Sequence, residues 1–304
     1  MEAIWAYRDW TGIGMDSGKA RCDLIKFPLE TYSMVASLFS FIKYMPQVTR
    51  RIYCDGSVYT FLKQTKMDKL FDEVNLVSFE KILDKSYPTL GRFFAYPKVW
   101  AYTQFRENGF IVDTDLILKK NLLEYLDLSK NYIYRYEKES ANRIPVSSSR
   151  NEIEVLVRSS KCSESFRKFA NYVNTCNAGL LYFSSSKIAN IVGHTLLSMG
   201  IELQSFLDSN YPNSLDKGLC WTLYEESPLI GLLETISQTK VLSFLPDSYE
   251  ELSVDWEGEI RTRIDWQEEI ALRIAKELNL RELENVWVKL KRAHKDGEGF
   301  YSLI

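Results

Sequence analysis

Two aspartates interrupt the apolar run Phe-Ile-Val-Asp-Thr-Asp-Leu-Ile-Leu at residues 110–118. If the run forms one β-strand, Asp113 and Asp115 point to the same side, because side chains two residues apart share a face. Two carboxylates among apolar neighbours are costly unless their charge is compensated. A divalent cation would compensate it, and oxygen ligands suit Mg²⁺ or Mn²⁺. The pattern predicts a metal site; the alternative is that one aspartate caps a turn and the other faces water.

The segments around this run alternate between strand-like and helix-like patterns. Strands are predicted at 2–7, 51–56, 74–78, 110–118 and 177–183, and helices at 30–44, 58–66, 92–107, 163–173 and 186–199. Strands that alternate with helices of about ten or more residues indicate βα units. The predicted fold class is therefore α/β, with a mainly parallel sheet flanked by helices.

The last third of the chain differs in charge. The window 247–269 contains nine carboxylates and two arginines, and helices are predicted at 265–279 and 282–293. We expect residues 1–235 to form the main domain, and residues 236–304 to form a helical, acidic C-terminal portion that packs on it. Two tryptophans in the window, Trp256 and Trp266, either present their indole faces to a ligand or pack within a solvated acidic surface.

Overall charge and composition exclude several classes of protein. Lys plus Arg total 38 against 41 Asp plus Glu, whereas a general nucleic-acid binder carries a basic excess. No apolar run approaches the roughly 18 residues that a membrane span needs. The start Met-Glu-Ala-Ile-Trp lacks the basic and apolar parts of a signal peptide. We therefore expect a cytoplasmic protein that has no transmembrane segment and does not bind nucleic acid.

Cysteine and histidine usage narrows the metal chemistry. The 5 cysteines are never spaced as Cys-x-x-Cys, and the chain has only 2 histidines. A zinc knuckle or a redox pair therefore has no support, and free or buried thiols in a reducing compartment are expected. Any metal would be held mainly by oxygen ligands.

Two short motifs carry a resemblance to a known family. The helix Pro-Lys-Val-Trp-Ala-Tyr at 97–102 precedes the Asp-Thr-Asp run, and Asn-Ala-Gly at 177–179 opens a later apolar strand. This layout, over about residues 2–235, resembles nucleotide-sugar glycosyltransferases of the GT-A fold, especially the glycogenin-like and the capsular-polysaccharide or mannosyltransferase groups. The resemblance implies a metal-dependent enzyme that moves a sugar, hexosyltransferase-like, from a nucleotide diphosphate donor to a carbohydrate or other hydroxyl acceptor.

The resemblance implies a donor site at the Asp-Thr-Asp motif and the helix before it. Asp113 and Asp115 would hold Mn²⁺ or Mg²⁺ and the diphosphate, and Thr114 between them would contact the donor. Lys98 would approach the phosphates or the donor sugar, where a cation offsets the negative charge that develops on the leaving group. The alternative for Lys98 is a solvated surface lysine.

Further donor contacts are implied at two strand ends. Asn177, with Ala178 beside it, would hydrogen-bond the sugar, and Gly179 would let the backbone approach closely; the alternative is a turn asparagine with a packing glycine. Tyr7 would stack on the nucleotide base and Arg8 would bind phosphate. The alternative for Tyr7 is a core aromatic.

The remaining implied residues complete the site. Asp55 would bind the ribose, although a turn aspartate is the alternative. Glu225 or Glu226 would stabilise a cationic sugar transition state or act as nucleophile or base, unless they are partners of a helix dipole. His294 is the candidate for a third metal ligand. Retention and inversion of the anomeric configuration are both compatible with this pattern.

Two other functions remain open. A metal-dependent nucleotidyltransferase or phosphohydrolase also uses paired aspartates, and Gly12-x-Gly14 with Gly18-Lys19 is a weak version of its phosphate loop. A non-catalytic nucleotide-sugar-binding protein of the same fold is the other alternative.

Overall fold

A computed structural model describes residues 1–8, 28–65, 67–79, 95–114, 116, 118, 121–138, 174–210 and 227–244. The strands are β1 Glu2–Tyr7, β2 Thr49–Cys54, β3 Glu73–Leu76, β4 Gly109–Val112, β5 Tyr132–Lys138, β6 Asn174–Phe183 and β7 Leu242–Ser243. The helices are α1 Pro28–Tyr44, α2 Gly56–Thr65, α3 Tyr96–Tyr102, α4 Ser186–Asn210 and α5 Ser227–Ser237.

The strands form a seven-stranded sheet in the order β3-β2-β1-β4-β6-β5-β7. The pairs β1–β2, β2–β3 and β5–β7 are parallel, and β5–β6 is antiparallel. The predicted α/β class, with a mainly parallel sheet flanked by helices, is confirmed, and this architecture is consistent with the expected GT-A-like fold. The predicted division into 1–235 and 236–304 stays a prediction, because most of the second range lies outside the described residues.

One compact unit contains Met1–Ser78 and Val112–Asp127. Five of the six residues of β1 are buried, as expected for a parallel strand that is covered on both faces. The Trp5 ring packs edge-on against Phe41 and Phe71, with centroid distances of 4.9 and 5.8 Å. Burial of these large rings supplies much of the apolar stabilisation of this unit.

A second compact unit contains Phe79–Ile111 and Leu128–Asp247. Its core includes the rings of Phe110 and Tyr182, whose centroids lie 5.0 Å apart. Helices α3 and α4 approach closely at Gly193, where an added Cβ would lie 2.8 Å from Cγ2 of Thr103. The small residue therefore permits this helix contact.

The strand that carries the Asp-Thr-Asp motif is shorter than predicted. β4 ends at Val112, and the Leu116 amide donates to the Asp113 carbonyl at 3.2 Å, the i to i+3 bond of a β-turn. Aspartate is depleted in strands and favoured at the first position of a turn. The prediction of one strand over 110–118 is therefore wrong, because Asp113 already lies outside the strand.

Two further expectations concern cysteines and membrane segments. Cys54 and Cys176 are buried free thiols, and the other cysteines lie outside the described residues. Among the helices of the described ranges, none has the combination of length and apolar character that crossing a membrane requires.

Candidate functional site

The carboxyl ends of three parallel strands meet at one edge within the first unit. Tyr7 pairs with Cys54, and Cys54 pairs with Leu76, so β1, β2 and β3 end side by side. Ligands of α/β proteins bind beyond this edge of the sheet. Tyr7, Arg8 and Asp55, three predicted donor-binding residues, lie there because each ends or directly follows a strand.

Tyr7 and Arg8 are both buried, at 7% and 2% exposure. For Tyr7, burial is compatible with both readings, a core aromatic and a ring that stacks on the nucleotide base. For Arg8, burial keeps a guanidinium in a low-dielectric setting, where its attraction for an anion is stronger than in water. Arg8 is therefore the residue of this pair that is better suited to a phosphate.

Asp55 caps helix α2. Its Oδ1 accepts from the Val58 amide at 3.0 Å and from the Ser57 hydroxyl at 2.9 Å. This is ordinary N-cap geometry, so the turn alternative accounts for these bonds. The ribose role of Asp55 stays a prediction. Next to it, burial raises the pKa of the Cys54 thiol to about 12, and the Asp55 charge adds to the shift.

Asp113 follows β4 directly, and both Asp113 and Thr114 are half-buried. The described residues contain no group of three His, Cys, Asp or Glu side chains that is arranged to hold a metal. The other predicted ligands, Asp115 and His294, lie outside the described residues. The metal site therefore stays a prediction.

In the second unit, Lys98 contacts the Asn-Ala-Gly element. The Lys98 ammonium is half-buried and donates to the Ala178 carbonyl at 3.0 Å, from a position 80 residues earlier in the chain. Helix α3, with Pro97 near its first turn, places the lysine there. This bond joins two segments that the resemblance assigns to one site.

The Asn-Ala-Gly element lies at an irregularity of β6. Ile133 pairs with Leu181 and Arg135 pairs with Asn177, so one residue of β5 faces the three residues 178–180 of β6. Such bulges bend a strand and redirect its groups, and they are over-represented next to active sites. Glycine is common at these positions, which agrees with Gly179. The irregularity separates Ala178 from regular ladder pairing with β5.

Sequence reasoning missed a pair of buried serines on α1. The Ser40 hydroxyl accepts from the Leu118 amide at 2.9 Å and donates to the Ser37 carbonyl at 2.6 Å. Both serines are buried, at 2% and 0% exposure. The available signal was two hydroxyl side chains three residues apart in an otherwise apolar stretch of helix.

Of the predicted catalytic residues, Lys98 alone belongs to the described part of the chain, since Glu225 and Glu226 lie outside it. The side chain of Asn177 is likewise outside the described set, although its backbone is placed in β6. The donor and catalytic assignments therefore stay predictions.

The chain is similar to known proteins in structure. No protein-family model matches the chain, and no curated protein matches it. Solved structures that resemble it include the apo crystal structure of mouse xyloside xylosyltransferase 1. That similarity has a TM-score of 0.40 and 14% sequence identity, and covers 79% of this chain and 84% of the mouse protein chain.

Proposed function

We propose that this protein is a metal-dependent glycosyltransferase, hexosyltransferase-like, that moves a sugar from a nucleotide diphosphate donor to a carbohydrate or other hydroxyl acceptor. The observation that carries the proposal is the bond between Lys98 and Ala178. It brings a cation to the bulged Asn-Ala-Gly element, and both belong to the motifs on which the resemblance rests.

Lys98 would neutralise charge on the donor. The bond to the Ala178 carbonyl holds the Lys98 ammonium beside the Asn-Ala-Gly element. That bond restrains the long side chain, so less conformational entropy is lost when a phosphate binds. A preorganised cation stabilises the negative charge that grows on a leaving diphosphate.

The bulge would present the sugar-binding backbone. Asn177 would hydrogen-bond a sugar hydroxyl through its amide group. Gly179 has no side chain, so a ligand can approach the backbone closely there. Together with Ala178, these residues would contact the donor sugar.

Residues of the first unit would hold the nucleotide diphosphate. Tyr7 would stack on the base, Asp55 would bind the ribose, and Arg8 would bind phosphate. Asp113, with Thr114 beside it, would hold the donor together with Asp115.

Carboxylate oxygens at this edge are chemically suited to Mn²⁺ or Mg²⁺, and the half-burial of Asp113 strengthens its attraction for a cation. Asp113 and Asp115, with His294, would hold the ion. When bound, the ion supplies Lewis-acid stabilisation of the leaving diphosphate. Glu225 or Glu226 would act at the sugar, as stabiliser of the cationic transition state or as nucleophile or base.

A thermal-shift screen tests the proposal. The purified protein is heated with uridine, guanosine and cytidine diphosphate sugars, with and without Mn²⁺, and hits are assayed for sugar transfer to water and to simple saccharides. We expect one donor class to raise the melting temperature only when Mn²⁺ is present. Stabilisation by nucleoside triphosphates alone would favour the nucleotidyltransferase alternative. Donor binding without any transfer or hydrolysis would favour the binding protein.

Lys98→Met tests the observation that carries the proposal. Methionine keeps much of the apolar stem but removes the charge, so we expect transfer to fall about a hundredfold, in the range for loss of one transition-state donor. Lys187→Met is the matched control, because Lys187 is exposed at the start of α4. Equal activity of the two variants would contradict the role of Lys98.

A further inference from the structure

Ser40, a buried residue of α1, forms a hydrogen bond with the chain segment that follows Asp113. The Ser40 hydroxyl donates a hydrogen bond to the Ser37 carbonyl at 2.6 Å. The lone pairs of the Ser40 oxygen therefore point away from that bond. The Leu118 amide donates to the same hydroxyl oxygen at 2.9 Å, across 78 residues of sequence. Ser40 and Leu118 are exposed by only 2% and 6%. A buried hydrogen bond thus joins helix α1 to the segment around Leu118.

The hydrogen bond between Ser40 and Leu118 lies a few residues beyond Asp113, the proposed metal ligand. The chain leaves the sheet after Val112, and the turn bond from the Leu116 amide to the Asp113 carbonyl is 3.2 Å long. A buried amide outside a sheet must find another acceptor. Ser40 provides that acceptor for Leu118, so the backbone that carries Asp113 is held by β4 on one side and by α1 on the other.

We propose that Ser40 is a positioning residue for the Asp113 carboxylate and thereby sets the affinity of the site for a divalent cation. This inference rests on the proposed function. A carboxylate must be held close to its productive position to bind a metal well, and its support comes from the neighbouring backbone. Without the Ser40 hydroxyl, the Leu118 amide loses this acceptor, and the turn that follows β4 is free to shift.

Mn²⁺ binding measured by electron paramagnetic resonance tests the proposal without any enzyme assay. We expect Ser40→Ala to raise the dissociation constant for Mn²⁺ about tenfold, the lower end of the range for lost supporting contacts. Ser40→Thr keeps a hydroxyl and should retain most of the affinity. Asp113→Asn should abolish binding at this site.

Ser37→Ala is the matched control. It removes an equally buried hydroxyl from the same helix, one that accepts from the Trp5 indole at 3.3 Å. We expect it to lower the melting temperature and to leave Mn²⁺ affinity unchanged. If Ser40→Ala does not fold, Ser40→Cys replaces it, because a thiol is close in size but a weak acceptor.

The outcomes separate this inference from the proposed function. Wild-type affinity in Ser40→Ala, or an equal loss in Ser37→Ala, overturns the positioning role while Asp113→Asn still loses the ion. A wild-type protein that binds no Mn²⁺ overturns both.

Discussion

At the amino ends of β1–β3, Arg51 bonds to the carboxylates of Glu2 and Glu73, the second at 3.2 Å. At the carboxyl ends of β1 and β2, the charged residues within the described ranges include Arg8 and Asp55, each where a strand passes into the next segment. The first group pairs across adjacent strands inside the sheet. The second group stands at the edge where α/β proteins bind ligands.

The difference shows that burial of charge does not by itself mark a functional site. Glu2 and Arg51 are exposed by only 2% and 1%, yet their charges compensate each other. Such pairs are costly to break because a single remaining charge would stay buried. Position along the strand, and the segment that follows it, separates structural from candidate functional charge.

The largest effect is expected when the amino-end network is broken. Arg51→Ala leaves the buried Glu2 carboxylate without its guanidinium partner, so we expect a loss of about 3–5 kcal/mol in the free energy of unfolding. Urea unfolding measures this loss. Donor binding by the fraction that remains folded should be unchanged, because Arg51 lies away from the carboxyl edge.

The neighbouring arginine is the control. Arg50 pairs with Asp72 at 3.0 Å, with side-chain exposures of 15% and 43%, so Arg50→Ala should cost about 1 kcal/mol. If both variants lose the same free energy of unfolding, burial does not make the Arg51 ion pairs more stabilising than the exposed pair of Arg50.

At the carboxyl edge we expect the reverse pattern. Asp113→Asn should keep the melting temperature of the ligand-free protein but abolish its rise with Mn²⁺ and donor. The lost stabilisation is about 2.7 kcal/mol when the ligand is at a hundred times its dissociation constant. Asp127→Asn, an exposed carboxylate, should keep the full shift. A large loss of ligand-free stability in Asp113→Asn would instead make that aspartate structural.

Asp55 lies at the same carboxyl edge but also caps helix α2. Its variants therefore test whether a residue at this edge has a structural role, a ligand-binding role or both. Asp55→Ala removes the cap of α2 and should cost about 1 kcal/mol in thermal unfolding. Asparagine also caps helices well, so Asp55→Asn should restore stability. If Asp55→Asn is stable but binds donor more weakly, the carboxylate has a ligand role beyond the cap.

The smallest effect concerns the pH dependence of stability at Cys54. Burial raises its pKa from 9.0 to about 12, so the neutral thiol contributes stability that is complete below pH 9 and is lost as the pH rises toward 12. Between pH 8 and pH 9.5, wild type should lose about 1 kcal/mol more than Cys54→Ala. Identical pH dependence would indicate that solvent reaches this thiol.

Much of the α/β framework follows from local pattern. The first strand was predicted at 2–7 and is observed at Glu2–Tyr7, and the helix predicted at 30–44 is observed as Pro28–Tyr44. Apolar periodicity and turn residues depend on neighbours within a few positions, so helices, strands and turns can be predicted from the sequence. Strand β5, Tyr132–Lys138, was not predicted, although its sequence alternates in the manner of a strand.

The details of the candidate site were less accessible. The run around Asp113 was predicted as one strand because its apolar residues suggested it, whereas the turn preference of aspartate ends β4 at Val112. The bulge opposite Tyr134 depends on the register of two strands that are far apart in sequence. No local pattern encodes that register.

By itself, the sequence determined the alternation of strands and helices, the Asp-Thr-Asp and Asn-Ala-Gly motifs, and the absence of a basic excess. Tertiary structure decided that Lys98 meets the Ala178 carbonyl and that Ser40 holds the Leu118 amide. The physical reason is range: periodicity reflects neighbours along the chain, whereas these hydrogen bonds join residues about 80 positions apart whose approach depends on the packing of the whole unit.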